Sequence, residues 1–397
     1  MPQEMTRRIS IPVDELIIQN LNGREVWEIP HSANSRYLSH GYFRYIGKFP
    51  PQLARAFIQS YGDPNELLID PMCGGGTSLI EAKMANIRAF GSDVNPIALL
   101  VSRVATTVIP ADKLDRTIED LASTLTVYVG GQGTLGGRRL SLKSPKPPNL
   151  FGNDIYFDAL TLHQLTLIKA LIDQGPWEIG VRDFLTVAFV SILRQVSRAN
   201  VKKMNTEIDE TKRAKPAIPT FLAKVRRMAD INRGLPFSTT PEIVVQEHDA
   251  RALPHADNSA GLVILHPPYM TNTAFSESVQ LPLAWLGWKH KDIWHRELRC
   301  RGSFLHEPDG LRKYLVGWHQ VLREAHRLLK PGARCCIVIG DGQIDYVRIP
   351  MSSITKEFAT DIGFVVEREL IHRLNNNTGM TLSHKMRGQN VLIVAKR

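Results

Sequence analysis

The chain has 397 residues, 43% of them hydrophobic and 7% aromatic, a composition typical of folded globular proteins and long enough for one enlarged domain or two. No apolar run of about 18 residues is present and the first residues lack an apolar signal region, so we expect a cytoplasmic protein without a membrane span. The four cysteines form no C-x-x-C pair, which predicts reduced thiols and no structural metal.

Positive charge is concentrated in one part of the chain. Forty-nine lysines and arginines against 39 acidic residues give a formal net charge of +10. Residues 198–233 contain ten basic and four acidic residues and thus carry more than half of this excess. A basic segment attracts polyanions such as nucleic acids, although a solvated helical face would have the same composition.

The first half of the chain predicts the start of a parallel sheet. After an irregular segment at 1–40, "PPQLARAFIQSYG" at 50–62 predicts a helix that begins at its prolines and ends at glycine. A strand over Leu67–Asp70, a glycine-rich turn, a helix over Thr77–Ala85, a strand over Ala89–Ser92 and a helix from Pro96 then follow. This βαβα pattern predicts an α/β fold that binds ligands at the carboxyl ends of its strands.

The second half predicts a helical insertion and then the rest of the sheet. Residues 129–150 form a loop rich in glycine and proline, and 156–175 and 181–198 have helical periodicity ahead of a basic segment at 199–235. Strand patterns resume at 242 and 260, and a helix is predicted over 310–332, where Pro331-Gly332 would stop it. We therefore divide the chain into 1–105, a basic insertion at 106–240, and 241–397.

The turn "DPMCGGGT" at 70–77 predicts a nucleoside-binding site. Its glycines let a ligand lie against the backbone, but it matches neither a phosphate loop nor G-x-G-x-x-G. Asp93, at the next strand end, can accept hydrogen bonds from both hydroxyls of a ribose, and Asp249 can meet an adenine amino group. With Asp70 these acids suit a nucleoside with a cationic tail, such as S-adenosyl-L-methionine, although each alone would serve equally well as a strand-end cap.

The tetrapeptide "HPPY" at 266–269 ends an apolar strand abruptly. Prolines cannot donate to a strand ladder, and they hold the carbonyls of His266 and Pro267 in fixed directions. Such carbonyls can accept hydrogen bonds from an exocyclic amino group, and Tyr269 offers a face for stacking on a base. The pattern predicts a clamp for an extruded nucleobase.

These motifs resemble those of the amino-group DNA methyltransferases. "DPMCGGGT" is similar to their D-P-x-C-G-x-G-T signature, "HPPYM" to their [S/N/D]-P-P-[Y/F] tetrapeptide, and "YIGKFPPQLARAFI" at 45–58 to the segment that closes over the methionine end of the cofactor. The resemblance implies a Rossmann-like class I methyltransferase sheet and methyl transfer from S-adenosyl-L-methionine to a flipped DNA base. It implies cofactor binding by Lys48, Phe49, Asp70, Pro71, Cys73, Gly74, Gly76, Thr77, Asp93, Asn95, Asp249 and Ala250, and catalysis by His266, Pro267, Pro268 and Tyr269.

The chain departs from the family at two points. His266 stands where cytosine-N4 enzymes usually have serine and adenine-N6 enzymes have aspartate or asparagine, but the residues after the tetrapeptide resemble the cytosine branch, which favours cytosine N4. The insertion after the second strand matches none of the usual motif orders, and we expect it to contact DNA. Basic residues for that contact are Lys202, Lys203, Arg226, Arg227, Lys289 and Arg299, the last two within a segment that also contains Trp285, Trp288 and Trp294.

Alternatives to a DNA enzyme remain open at this point. An RNA methyltransferase acting on guanine N2 or adenine N6 would use similar motifs. A non-catalytic nucleic-acid-binding protein that keeps the cofactor pocket would explain His266 as a disabling change. For the DNA enzyme we expect double-stranded DNA as partner, with a separate restriction endonuclease as a further candidate, and a monomer or homodimer.

Overall fold

The structure is a computed structural model of the full chain. It describes residues 16–21, 23–30, 33–127, 133–135, 138–140, 153–203, 205–237, 241–270, 274–298, 309–344, 347–373 and 388–397.

A nine-stranded sheet forms the centre of the molecule, in the order β1-β2-β12-β13-β9-β8-β3-β4-β7. Its strands are β1 Ile17–Leu21, β2 Arg24–Glu28, β3 Leu67–Asp70, β4 Arg88–Asp93, β7 Ile243–Glu247, β8 Ala260–Leu265, β9 Leu329–Ile339, β12 Phe364–Arg373 and β13 Gly388–Lys396. The short pairs β5 Gly133–Leu135 with β6 Arg138–Leu140, and β10 Gly342–Ile344 with β11 Val347–Ile349, lie outside it. The run β7-β4-β3-β8-β9 is parallel, and β13 is antiparallel to both of its neighbours.

Helices cover both faces of the parallel strands, which is why β3 and β8 are nearly continuous apolar runs. The helices are α1 Pro51–Tyr61, α2 Thr77–Met84, α3 Pro96–Thr106, α4 Ala111–Val127, α5 Asn153–Tyr156, α6 Ala159–Gln174, α7 Ile179–Ile192, α8 Ala217–Arg233, α9 Phe275–Ser278, α10 Gln280–Trp285, α11 His290–Trp294, α12 Gly310–Leu328 and α13 Met351–Ile362. The predicted α/β class, with a largely parallel sheet and a mostly helical insertion after its second parallel strand, is confirmed.

The insertion shares its hydrophobic core with the segment that leads into α1. Helices α4, α6, α7 and α8 bury one apolar cluster, which includes Phe184 and Phe221 and extends to Tyr42. The rings of Tyr42 and Phe184 meet edge to face, with centroids 6.0 Å apart. Packing of this kind fixes residues 37–46 against the insertion and so sets the position of Tyr45.

Three predicted element boundaries were wrong. Part of the segment predicted as irregular forms the hairpin β1–β2, which joins the sheet edge beside β12. The helix predicted over 310–332 ends at Leu328, because Leu329 already pairs with Ala260 of β8. The helix predicted over 181–198 ends at Ile192 and is followed by a loop.

Candidate active site

A cleft opens at the carboxyl ends of β3, β4, β7 and β8. It holds about 890 Å³ of empty space, part of which is open to solvent. Of the predicted cofactor residues it is lined by Lys48, Phe49, Pro71, Cys73, Gly74, Thr77, Asp93, Asp249 and Ala250, and of the tetrapeptide by His266 and Pro268. The structure therefore brings together motifs that lie far apart in the chain.

The glycine turn forms the floor of the cleft and lies directly against Tyr45. Gly74 has φ +51°, in the region that favours glycine, and an added Cβ would lie 3.0 Å from the Tyr45 ring. A Cβ at Gly75 would meet the same tyrosine at 2.9 Å. Any side chain at these two positions would therefore displace Tyr45 or fill the cleft.

Asp70 and Gly76 do not line the cleft but support the turn from behind. Asp70 is buried and accepts hydrogen bonds from the Ser78 hydroxyl and from the backbone N–H of Met72, the latter at 3.2 Å. Burial raises its pKa to about 7. Gly76 precedes α2 with φ +75°, and an added Cβ there would lie 2.9 Å from the Ser102 hydroxyl. We infer that both predicted residues shape the turn.

Asp93 connects the glycine turn to the end of β4. Its Oδ2 accepts a hydrogen bond from Gly74 N–H at 3.0 Å and its Oδ1 accepts one from Asn95 N–H at 2.9 Å. Burial raises the pKa of this carboxyl to about 6. Asn95 itself does not line the cleft; its side chain caps α3 by accepting from Ile97 N–H at 3.0 Å.

The other charged groups of the cleft differ in whether they have partners. Asp249 accepts from Arg251 Nε at 2.8 Å and forms an ion pair with the same guanidinium at 2.5 Å. Lys48 Nζ donates to the His40 carbonyl at 2.8 Å, and burial, with Arg36 nearby, lowers its pKa to about 8. Among the described residues, neither Lys48 nor Asp93 forms an ion pair. The buried hydroxyl of Thr77, also in the lining, has no hydrogen-bond partner among the described residues.

The tetrapeptide forms a compact turn at the end of β8. His266 Nε2 lies 2.9 Å from the hydroxyl of Tyr269, with the two rings edge to face. The Tyr314 hydroxyl donates to the Pro268 carbonyl at 2.8 Å and so fixes the turn. Burial, with a smaller contribution from His372, lowers the pKa of His266 to about 4. His266 is therefore neutral at physiological pH.

Tyr269 and Pro267 are not part of the cleft lining. Tyr269 is only 8% exposed, and its ring packs beside His266. In the conformation seen here, the tyrosine therefore does not present the open stacking face that the sequence predicted. His266, whose ring lies 5.2 Å from that of Phe49, is the aromatic residue of the tetrapeptide that reaches the cleft.

Tyr45 and Glu297 are among the lining residues that were not predicted from the sequence. Tyr45 lies in the segment 45–58 that resembles the family. The sequence does not indicate that its ring packs on Gly74 and Gly75, which follow it by about 30 positions. Glu297 follows α11, within a segment where tryptophans and basic residues drew the interpretation toward DNA contacts. No local pattern marks Glu297, because only the fold brings it to Asp93.

A basic loop of the insertion is attached to the segment that follows the tetrapeptide. Lys202 and Lys203 are exposed in the loop 199–207, which follows α7. The guanidinium of Arg194 donates to the carbonyls of Asn200, Lys203, Asn205 and Ser278 at 2.9, 3.1, 3.1 and 3.0 Å. Because Ser278 belongs to the segment that follows the tetrapeptide, this arginine fixes the loop beside the active-site turn.

The other basic residues predicted to bind DNA lie on different elements. Arg226 and Arg227 are exposed on α8, and Lys289 is exposed before α11, whereas Arg299 lies outside the described residues. Arg44 donates to the Val201 carbonyl. Burial lowers the pKa of Lys224 to about 8, and the nearby positive charges of Arg227 and Arg36 add to this effect. The sequence analysis did not select Arg36 or Arg44.

The described part of the chain has neither a candidate metal-binding cluster nor a candidate membrane-spanning helix. No group of three or more histidine, cysteine, aspartate or glutamate residues there could hold a metal ion. None of the helices in the same ranges is long and apolar enough to cross a membrane.

In sequence, the chain is similar to DNA methyltransferases. A sequence model described as DNA methylase matches residues 6–101. The chain is 29% identical over 279 residues to the type II methyltransferase M.MvaI of Kocuria varians, covering 66% of this chain and 60% of that protein. It is 24% identical over 295 residues to the type II methyltransferase M.BsoBI of Geobacillus stearothermophilus, covering 68% and 57%. The chain thus spans less than two thirds of the length of these relatives.

Among solved structures, a SAM-dependent methyltransferase of Methanosarcina mazei covers 86% of this chain and 96% of its own, with 10% identity and a TM-score of 0.36.

Proposed function

We propose that the chain acts as the amino-group DNA methyltransferases that it resembles, and transfers a methyl group from S-adenosyl-L-methionine to an exocyclic amino group of a flipped DNA base. Cytosine N4 is the favoured acceptor. The observation that carries the proposal is the cleft itself. It places the glycine turn, the unpaired Asp93 and Lys48, and the His266–Pro268 turn around one space.

The cofactor of the family, S-adenosyl-L-methionine, fits the groups that this cleft offers. When bound it supplies a methyl group on a sulfonium, together with an ammonium, a carboxylate and a ribose diol. Asp93 keeps a lone pair free beyond its backbone hydrogen bonds and would accept from the ribose. Lys48 would neutralise the carboxylate, and the partnerless Thr77 hydroxyl would bond to the same end of the ligand.

The turn at the end of β8 is suited to holding the acceptor nitrogen. Carbonyls of His266 and Pro267, just after β8, would accept hydrogen bonds from the amino group and draw electron density toward its nitrogen. The nitrogen would take the methyl group from the sulfonium, leaving the thioether, and would release one proton to solvent. The neutral ring of His266 adds no positive charge beside the sulfonium. Phe49, buried against His266, would help to exclude water from this position.

The preference for cytosine N4 rests on sequence resemblance. The residues from Met270 onward, "MTNTAFSESVQLPLAWLGW", are similar to the cytosine branch of the family. Within this segment, Ala274 and Phe275 line the cleft next to the tetrapeptide. We therefore propose that a pyrimidine amino group is the natural acceptor.

Double-stranded DNA is the proposed substrate, because M.MvaI and M.BsoBI, which this chain resembles, are type II methyltransferases. The exposed Lys202, Lys203, Arg226 and Arg227 would neutralise backbone phosphates on either side of the flipped nucleotide. A cognate restriction endonuclease is a candidate partner as a separate protein.

The test is to express the protein in cells that carry a plasmid, and then to map modified bases by single-molecule sequencing. We expect N4-methylcytosine at one recurrent sequence, and none when Asp93→Ala replaces the wild type. N6-methyladenine at a recurrent sequence would correct the base but keep the reaction. Transfer to RNA alone, or cofactor binding without transfer to any nucleic acid, would overturn the proposal.

A further inference from the structure

Glu297 is a carboxyl in the cleft that no motif of the chain includes. It follows α11 and lines the same space as Asp93 and Tyr45. Two hydrogen bonds fix it: Ser276 N–H donates to Oε1 and the Ser276 hydroxyl donates to Oε2, both at 2.8 Å. Since Ser276 belongs to α9, just beyond the tetrapeptide, the active-site segment itself orients this carboxyl.

The charges of the lining leave Glu297 without a cationic partner. Arg251 pairs with Asp249, and Arg296 pairs with Glu247 at 2.7 Å. Among the described lining residues, the charged groups without an ion pair are then Asp93, Glu297 and Lys48. When ionised, these three carry one net negative charge.

Two neighbouring carboxylates in one cleft are unfavourable without a cation. Burial raises the pKa of Glu297 to about 7, and the negative charges of Asp93 and Glu277 add to the rise. A bound cation relieves both the burial and the repulsion, because it lets the two acids ionise together. The cleft should therefore bind a ligand with one net positive charge more tightly than the neutral form of the same ligand.

Resting on the function proposed above, we propose that Glu297 is a cofactor-binding residue that selects the cationic sulfonium cofactor over the thioether product. S-adenosyl-L-methionine carries a sulfonium, an ammonium and a carboxylate, which together give one positive charge. Loss of the methyl group removes the sulfonium charge, so S-adenosylhomocysteine has no net charge. Glu297 and Asp93 then lose the cation that offsets their repulsion, and release of the product is favoured.

The test is calorimetric binding of S-adenosyl-L-methionine and of S-adenosylhomocysteine, measured separately on the wild type and on Glu297→Gln. Glutamine keeps the shape of the side chain and an acceptor for Ser276 N–H, and it removes the charge. We expect affinity for the sulfonium cofactor to fall by about tenfold or more, and affinity for the thioether to change by about twofold or less. Glu277→Gln is the matched control, because this neighbouring carboxylate is outside the cleft lining and should leave the ratio of the two affinities unchanged.

Each outcome separates this inference from the proposed function. An unchanged affinity ratio in a folded Glu297→Gln protein, or equal loss of both ligands, overturns the inference while leaving methyl transfer intact. Failure of the wild type to bind either ligand overturns the proposed function as well. Should Glu297→Gln not fold, Glu297→Ala removes the same charge with a smaller side chain, and an unchanged ratio in that variant also overturns the inference.

Discussion

At the scale of single residues, Asp93 is the side chain on which the cofactor site most directly depends. Its oxygens already bond to Gly74 N–H and Asn95 N–H, so Asp93→Ala removes support for the turn together with the acceptor for the ribose. A charge-assisted hydrogen bond contributes about 1.5–3 kcal/mol, so affinity for S-adenosyl-L-methionine should fall by at least about tenfold. Calorimetry checks this, with the exposed Asp112→Ala as control; unchanged affinity in Asp93→Ala would remove the aspartate from the site.

His266 gives a prediction about pH. Its pKa is lowered to about 4 by burial, so the ring stays neutral down to that pH. Turnover at saturating cofactor should therefore persist below the ordinary histidine pKa of about 6.5 and decline only toward pH 4. His266→Ser, which restores the residue of the cytosine branch, should keep methylation. Comparing pH–rate profiles of the two proteins tests the assignment, because Asp93 and Glu297 titrate in both. A decline near pH 6.5 that occurs in the wild type and is absent from His266→Ser would show that the ring is not buried during catalysis.

The same burial has a consequence for stability. The unfolded chain binds a proton at His266 more readily than the folded one, because its unfolded pKa, about 6.5, exceeds the folded value of about 4. This residue therefore destabilises the fold progressively as pH falls between those two values. Urea unfolding at pH 7 and pH 5 should show a smaller loss in His266→Ser than in the wild type. Identical losses would contradict the buried position.

At the scale of elements, Arg194 supports the loop 199–207 together with Arg44, which donates to the Val201 carbonyl. Arg194 donates to four carbonyls of this loop and of Ser278, contacts that a lysine cannot reproduce with a single ammonium. Arg194→Lys should lose most of these hydrogen bonds, at about 0.5–1.5 kcal/mol each, and loosen the loop. Hydrogen exchange should rise in residues 199–207, and DNA affinity should fall while cofactor affinity stays the same. If hydrogen exchange of residues 199–207 in Arg194→Lys equals that of the wild type, the loop is held by other contacts.

Prediction of elements from the sequence succeeded where the local pattern agreed with the tertiary structure. Strand β3 was predicted with its observed bounds, because an apolar run followed by a glycine turn has few other solutions. The hairpin β1–β2 was missed, because β1 is fully exposed and its sequence carries no alternation toward a core. The end of α12 was misplaced, because pairing of Leu329 with Ala260 is a contact between distant parts of the chain.

The same distinction applies to the site. Asp93 could be predicted because it ends a recognisable strand in a fixed relation to the glycine turn. Glu297 could not, because its position depends on how α9 and α11 fold back over the cleft. Tyr269 was predicted as an open stacking surface, but the sequence cannot reveal that its hydroxyl bonds to His266 and its ring is buried.

At the scale of the whole molecule, the net charge of +10 should act on DNA through particular residues and not only as a general field. Lys202 and Lys203 lie on the loop that Arg194 attaches to the active-site segment, and Arg226 and Arg227 are exposed on the adjacent insertion. Replacing these four residues with alanine should weaken binding similarly on all sequences. It should also reduce the slope of log affinity against log salt by about 0.9 for each lost phosphate contact.

A control variant with the same change in net charge distinguishes direct contacts to DNA phosphates from the general electrostatic field of the protein. Lys330, Arg334, Lys356 and Arg373 belong to, or pack against, the strands β9 and β12. They form ion pairs with Glu66, Glu367, Glu369 and Glu28, respectively. Replacing these four with alanine removes the same positive charge and should leave the salt slope nearly unchanged, because screening weakens charges more than about 10 Å from the phosphates. Salt titration of duplex binding for both quadruple variants is the measurement. Equal slopes in the two variants would mean that the basic residues of the insertion act only through net charge and do not contact the DNA backbone.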